Sequence, residues 1–269
     1  MSQPETGKDR GKISGRSGCL FAWYPYLRDI IFGFLIFNAL WYSLALWLGM
    51  DALPLPHLVY ADWEKAFARG IMGHLAASAG RTLLGLGLGL AIALVLGVPM
   101  GLSQQCNRLM GPLLYFSYPI PKLALLPVVM VLFGIGELSK ITIIVLIIVF
   151  QLIIAIRDAI AAIPTENYAL LISLGASPLE KVRHITLPAI VPAVLSSLRV
   201  STGMALSALF FTETYGTTKG LGFYITDAWM RLDYTQMYFG LFALAMTGFF
   251  LFIALDIMER RCCRWQYIG

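Results

Sequence analysis

Six stretches of this chain are each apolar for roughly the 20 residues a helix needs to cross the hydrocarbon core of a bilayer. They are 30–50, 82–103, 112–134, 138–156, 189–212 and 237–258. No other feature constrains the fold as much. In hydrocarbon a backbone amide finds its partner only within its own segment, so such runs become helices. The expected fold is all-α, a polytopic membrane protein with about six transmembrane helices. Composition agrees, since hydrophobic residues make up 58% of the 269 and charged residues only 13%. A soluble domain carries about 25% charged residues. The net charge of +5 is small for a nucleic-acid binder, and the solvent expected around the apolar surface is membrane lipid.

Orientation follows from the cations between the runs. One side takes Lys8, Arg10, Lys12, Arg16, Arg28, Arg108, Arg157, Lys181, Arg183, Arg260, Arg261 and Arg264. The other takes Lys65, Arg69, Arg81, Lys140, Lys219 and Arg231. The side richer in Lys and Arg is cytoplasmic. Both termini are therefore expected there, as a tail 1–28, a membrane domain 29–258 and a tail 259–269. The long polar lead and the length of the first run argue against a cleaved signal peptide. Cys19, Cys106, Cys262 and Cys263 all fall on the side where thiols stay reduced.

Within the second run, Gly85-x-Gly87-x-Gly89 and Gly97-x-x-x-Gly101 follow no strand, so they read as notches for helix packing rather than a phosphate loop. Pro119, Pro121 and Pro127 should break the third run. Lys122 lies among them. A charge at the centre of a span costs about 2.5–3.5 kcal/mol on insertion scales. Lys122 is thus either a cationic site on a solute path or a cap for carbonyls that the prolines free. Arg199, in the fifth run, is a second candidate for the path, or pairs with a neighbouring helix. Glu213, Asp227, Arg231 and Asp233 are expected to shape an external loop.

The connector 164–188 is the most informative segment. Pro164 and Thr165 can start a short helix, with Tyr168, Leu171 and Ile172 on one face. Gly175 can stop it by taking the left-handed conformation. Ser177, Pro178 and Glu180 form a capping box for a second helix, which Pro188 is expected to end. Two short amphipathic helices bent at a glycine either dock on a partner or lie on the membrane surface.

Gly175, nine residues, then Ile185-x-Leu187-Pro188 resembles the EAA loop of the permease subunits of bacterial ABC importers that work with a binding protein. Further matches are Leu174-Gly175-Ala176-Ser177, Gly220-Leu221-Gly222 followed by Ile225 and Ala228, and the tail Asp256, Glu259-Arg260-Arg261 and Trp265. The combination is most similar to the nitrate, sulfonate, taurine and bicarbonate branch. The resemblance implies a type I importer permease fold in the bacterial inner membrane. It also implies cytoplasmic ATP-binding subunits, a second and identical permease copy, and a periplasmic or lipid-anchored solute-binding protein. It places coupling to the ATPase on Glu166, Ala169, Leu171, Gly175, Ala176, Ile185, Leu187 and Pro188. The family's Glu-Ala-Ala is here Ala169-Leu170-Leu171, so Glu166, about one turn earlier, is the candidate carboxylate.

The solute such a protein would carry is a small oxyanion such as a sulfonate or nitrate. No G-x-x-x-x-G-K-[ST] occurs in the sequence, so ATP and Mg are expected on the partner subunit, with no cofactor on this chain and no enzymatic activity of its own. The alternative, a secondary transporter or channel without ATP, would need an ion relay. Acidic residues inside the spans are scarce apart from Asp256.

Overall fold

The computed structural model describes residues 23–263. Most of the tail 1–28, with Cys19, and the stretch holding Arg264 and Trp265 lie outside the described residues. The chain divides into two units, Met1–Leu58 and Val59–Gly269. In the first, α1 (Trp23–Leu48) leaves Phe32, Leu40 and Trp47 exposed, as a helix surrounded by lipid does. It begins seven residues before the run read from sequence.

The second unit is a helical bundle. After the short helices α2 (Pro56–Ala61) and α3 (Trp63–Ala68) come α4 (Ile71–Leu102) and α5 (Gln104–Ser117). A 3₁₀ turn (Lys122–Leu125) leads into α6 (Leu126–Phe133), followed by α7 (Glu137–Ala161). The connector contributes α8 (Thr165–Ser173) and α9 (Pro178–Lys181). Then come α10 (Leu187–Thr214), α11 (Leu221–Met230) and α12 (Tyr234–Cys262). Among the described residues, five helices are long and apolar enough to span a membrane, or six if α5 and α6 count as one broken span.

The core is built on α4 and α7. A Cβ placed on Gly85 would stand 2.4 Å from Ile144 Cγ2, and one on Gly89 would stand 2.6 Å from Ile148 Cδ1. At Gly97 and Gly101 the nearest atoms would be Ile156 and Ile160 Cβ, at 3.0 and 2.7 Å. Both rows step mainly by four residues, the spacing that puts side chains on one helical face. Four glycine notches thus receive four isoleucines, with buried Ala93 and Leu152 continuing the rows between them. Gly87 borders open space and plays no part in the ladder.

The third run breaks as its prolines predict, and it starts at Gln104 rather than 112. The helices Gln104–Ser117 and Lys122–Phe133 meet at a bend of 83°, where Pro119 and Pro121 remove donors and fix φ. The second span begins at Ile71 rather than 82, so Arg81 is helical and buried. Lys140 is likewise buried in α7, not in an external loop. Lastly, Pro188 does not end a helix. A π turn at Val182–Thr186 joins α9 to α10, and Pro178–Thr214 runs as one 37-residue helix. The wider turn places Pro188 at the first turn of α10, where its missing N–H is no loss.

Candidate functional site

Two features are candidates for function, the connector and a groove along one side of the bundle. In the connector, Gly175 takes φ +76° with open space around it. Gly175 N and Ala176 N close the end of α8 on Ile172 O and Leu171 O, both at 3.0 Å. Ser177 then starts α9. Its N–H donates to Glu180 Oε2 at 2.7 Å, and Glu180 N donates back to Ser177 Oγ at 3.4 Å, the capping box read from sequence. Tyr168 Oη lies 3.0 Å from the hydroxyl of buried Thr186, which pins α8 to the π turn. Among the residues assigned to coupling, Glu166 and Ala169 are exposed, Leu171, Ala176 and Ile185 are half-buried, and Leu187 and Pro188 are exposed. The face turned to solvent carries Leu170 and Leu174, 66% and 74% exposed. The sequence pattern had pointed to Tyr168, Leu171 and Ile172; Ile172 is exposed, while Tyr168 and Leu171 are half-buried against the protein.

Four cavities follow one another between α5/α6 and α7/α10. At the connector end a cavity of about 610 Å³ is lined by Gln104, Asn107, Arg108, Tyr115, Arg157 and Asp158, among others. It shares Tyr115, Arg157 and Asp158 with a second of about 400 Å³. Tyr118 links that one to a third of about 500 Å³, which holds Lys122, Gln151, Gly203 and Ser207. Leu123 leads on to a fourth of about 520 Å³ lined by Leu126, Pro127, Met130, Phe211 and Tyr215. The four make one groove, running past the break between α5 and α6. Lys122 Nζ donates to Ser117 O and Tyr118 O, each at 2.6 Å, and lies 5.1 Å from the Phe150 ring centroid. The amine therefore caps the carbonyls at the end of α5 and lines the third cavity as well. Arg199 lines none of the four. It pairs with Asp256 and Glu259 of α12, leaving its Nε buried without a partner.

Sequence reading missed the polar network at the end opposite the connector. Glu213, expected in an external loop, is fully buried. Its carboxylate accepts from Ser78 Oγ at 2.8 Å, Arg81 Nη1 at 2.6 Å and Gly222 N at 2.9 Å. Arg81 also pairs with Glu137 at 2.5 Å and donates to Lys219 O at 2.8 Å. A Cβ on Gly220 would meet the Glu213 carboxylate at 2.3 Å, and one on Gly222 would meet Phe210 O at 2.6 Å. The Gly220-Leu221-Gly222 sequence is thus glycine on both sides because the backbone lies against this carboxylate. His74 Nδ1, 3.1 Å from Gly220 N, completes the polar face. His74, Ser78 and Arg81 stand at i, i+4 and i+7, and that helical spacing was the available signal.

The chain is a broken-helix membrane bundle with an exposed, glycine-bent connector. The sequence profile of the family described as "binding-protein-dependent transport system inner membrane component" matches residues 85–262, and the chain belongs to that family. It is 32% identical over 193 residues to the taurine transport system permease protein TauC of Escherichia coli K12, covering 72% of this chain and 70% of that protein. The formylaminopyrimidine transport permease protein ThiX of Halalkalibacterium halodurans is 24% identical, with 90% of this chain and 97% of that protein covered. Solved structures of an inward-facing methionine ABC transporter, MetNI, share the fold. One matches with TM-score 0.56 and 21% identity over 68% of this chain and 93% of that one. The protein is thus the transmembrane permease subunit of an ATP-driven importer, a multi-pass inner-membrane component and not an enzyme. Its family works with ATP-binding subunits and a solute-binding protein.

Proposed function

We propose that two copies of this chain face one another across the groove and pass a small oxyanion, such as a sulfonate or nitrate, with both termini in the cytoplasm. One observation carries the reading of the solute: Lys122 lines the third cavity of the groove. A fixed cation in a low-dielectric passage favours an anion and opposes a cation. The relatives named for taurine and for aliphatic sulfonates support it. An open groove on a single chain supports the pairing, because a path through a membrane must be closed on all sides. The excess of Lys and Arg on the connector side supports the orientation.

In this reading the ATP-binding subunit, which holds ATP and Mg, docks on the connector. Glu166 and Ala169 lie on the surface it meets, and Leu171, Gly175 and Ala176 set the angle of α8. Ile185, Leu187 and Pro188 carry the motion through the π turn into α10. Arg199 ties α10 to α12 and is removed from the solute path.

The test is uptake of labelled ethanesulfonate and nitrate by the whole importer in liposomes, comparing wild type with Lys122→Met and Lys122→Arg. Lys122→Met should lower uptake at equal assembly, and Lys122→Arg should restore much of it. Equal uptake by wild type and Lys122→Met would reduce Lys122 to a cap on Ser117 and Tyr118. The path would then suit a neutral solute, such as the formylaminopyrimidine for which one relative is named.

A further inference from the structure

We propose that the cavity at the connector end of the groove is a second binding site for the oxyanion group of the solute, occupied on the way out, with Arg108 and Arg157 as its cations. The inference rests on the reading that an anion travels the groove. It adds residues to which neither the coupling loop nor Lys122 draws attention.

The donors converge from two helices. Arg108 stands exposed on α5 with no ion pair or hydrogen bond among the described residues. Across the cavity on α7, Arg157 gives Nε and Nη2 to its neighbour Asp158, each at 2.8 Å, which leaves Nη1. Asn107 lines the same cavity and has its Oδ1 buried without a partner. Its amide also carries a donor, Nδ2. The Gln104 amide likewise has no partner among the described residues. The one carboxylate in the lining, Asp158, is already engaged by Arg157. What remains is two guanidinium groups and two amides, a donor set that fits the several acceptors of a sulfonate, nitrate or phosphate group. The volume of about 610 Å³ falls within the usual range for small-ligand sites.

Position decides between possible sources of that oxyanion. A lipid headgroup phosphate offers the same chemistry. This cavity, however, continues through Tyr115 and Arg157 into the next, and from there through Tyr118 to Lys122. A path conducts when successive sites bind weakly enough to pass the ion on. An anion leaving Lys122 would find the next cations at the connector mouth, where water and salt screen them and release is easy. The site therefore belongs to the solute.

The experiment uses the complete importer, with its ATP-binding subunits and binding protein, in liposomes and with labelled ethanesulfonate as probe. Arg108 is exposed and holds no hydrogen bond or ion pair among the described residues, so Arg108→Gln should assemble normally. Its uptake should fall roughly tenfold, and Arg108→Lys should recover part of the loss. Arg28→Gln removes a cation that lines none of the four cavities and should match wild type. An excess of unlabelled ethanesulfonate inside the liposomes should slow wild type by filling the site from within, and should slow Arg108→Gln less. Equal uptake by Arg108→Gln and wild type at equal assembly overturns the inference. So does a wild-type rate that depends on phosphatidylglycerol in the vesicle while Arg108→Gln has lost that dependence, since the site would then hold a lipid. If wild type carries neither ethanesulfonate nor nitrate, the anion reading itself falls and this site falls with it.

Discussion

At the far end of the bundle, a carboxylate with no solvent exposure joins α4, α10 and α11 through Ser78, Arg81 and Gly222. At the connector end, Leu170, Leu174 and Leu179 stand in solvent, and α8 is fastened by the contact of Tyr168 with Thr186. The first region is complete within one chain. The second has apolar side chains that nothing among the described residues covers. A buried charge network is satisfied only at one geometry, so it fixes the elements it joins. An exposed apolar helix gains its stability only when something covers it. The difference separates a frame from a moving part, and it predicts where substitutions cost stability and where they cost coupling.

The largest effect is expected at Glu213. Glu213→Ala leaves Arg81 buried with one carboxylate instead of two and uncaps the start of α11. Losing one partner of a buried pair costs about 3–5 kcal/mol. The detergent-solubilised chain should lose most of its thermal stability, and an unchanged melting profile would mean that the network does not hold the far end. Gly222→Ala comes next. The new methyl would meet Phe210 O at 2.6 Å, and such overpacking costs about 1–3 kcal/mol. The same substitution at Gly87, which borders open space, should leave the melting temperature in place, and the pair of variants makes the check.

At the connector the outcome should reverse. Gly175→Val has room for its side chain but must hold a left-handed backbone, a strain of about 1–2 kcal/mol. Membrane insertion and melting should change little, while transport and its stimulation of ATP hydrolysis fall. Wild-type transport at equal expression would end the assignment of this glycine to coupling.

The smallest effect concerns acid. Asp62 is partly buried, which raises its pKa, but the hydrogen bond from Gln236 Nε2 at 2.6 Å and the neighbouring Lys65 and Arg69 outweigh this and hold the carboxyl below its usual value. A lowered carboxyl pKa stabilises the fold fully above the unfolded value of about 3.9. That contribution is lost as pH falls through the folded value. Acidification from about pH 5 to about pH 3 should therefore lower the thermal midpoint more in wild type than in Asp62→Asn. Parallel falls in the two would discount the contact.

Much of this was legible in the residues. Apolar runs gave the spans, the prolines gave the broken helix, and Gly175 with the Ser177–Glu180 box gave the bend in the connector. The far-end network was not legible, because a loop and a helix end look alike when both are polar. Residues 71–81 read as a connection since His74, Ser78 and Arg81 depress hydropathy, yet their i, i+4, i+7 spacing is helical. Pro188 misled in the opposite sense. Its ring forbids a continuing α-helix only if the preceding turn is α, and the chain supplies a π turn there. The groove was invisible in principle, because it depends on how far α5 leans from α7 and no local pattern encodes that distance.

The ladder of glycines and isoleucines between α4 and α7 also bears on temperature. Lipid tails are as apolar as isoleucine, so no release of water drives those two helices together, and close contact between atoms holds them. Cooling weakens the hydrophobic effect but leaves such dispersion contacts in place. The exposed leucines of α8 are in the opposite position, because they must leave water to meet a partner. If the ATP-binding subunit docks on α8 as proposed, a chilled importer should thus keep its membrane bundle intact while that grip loosens, so the cold sensitivity of transport would be set at the connector and not within the bilayer.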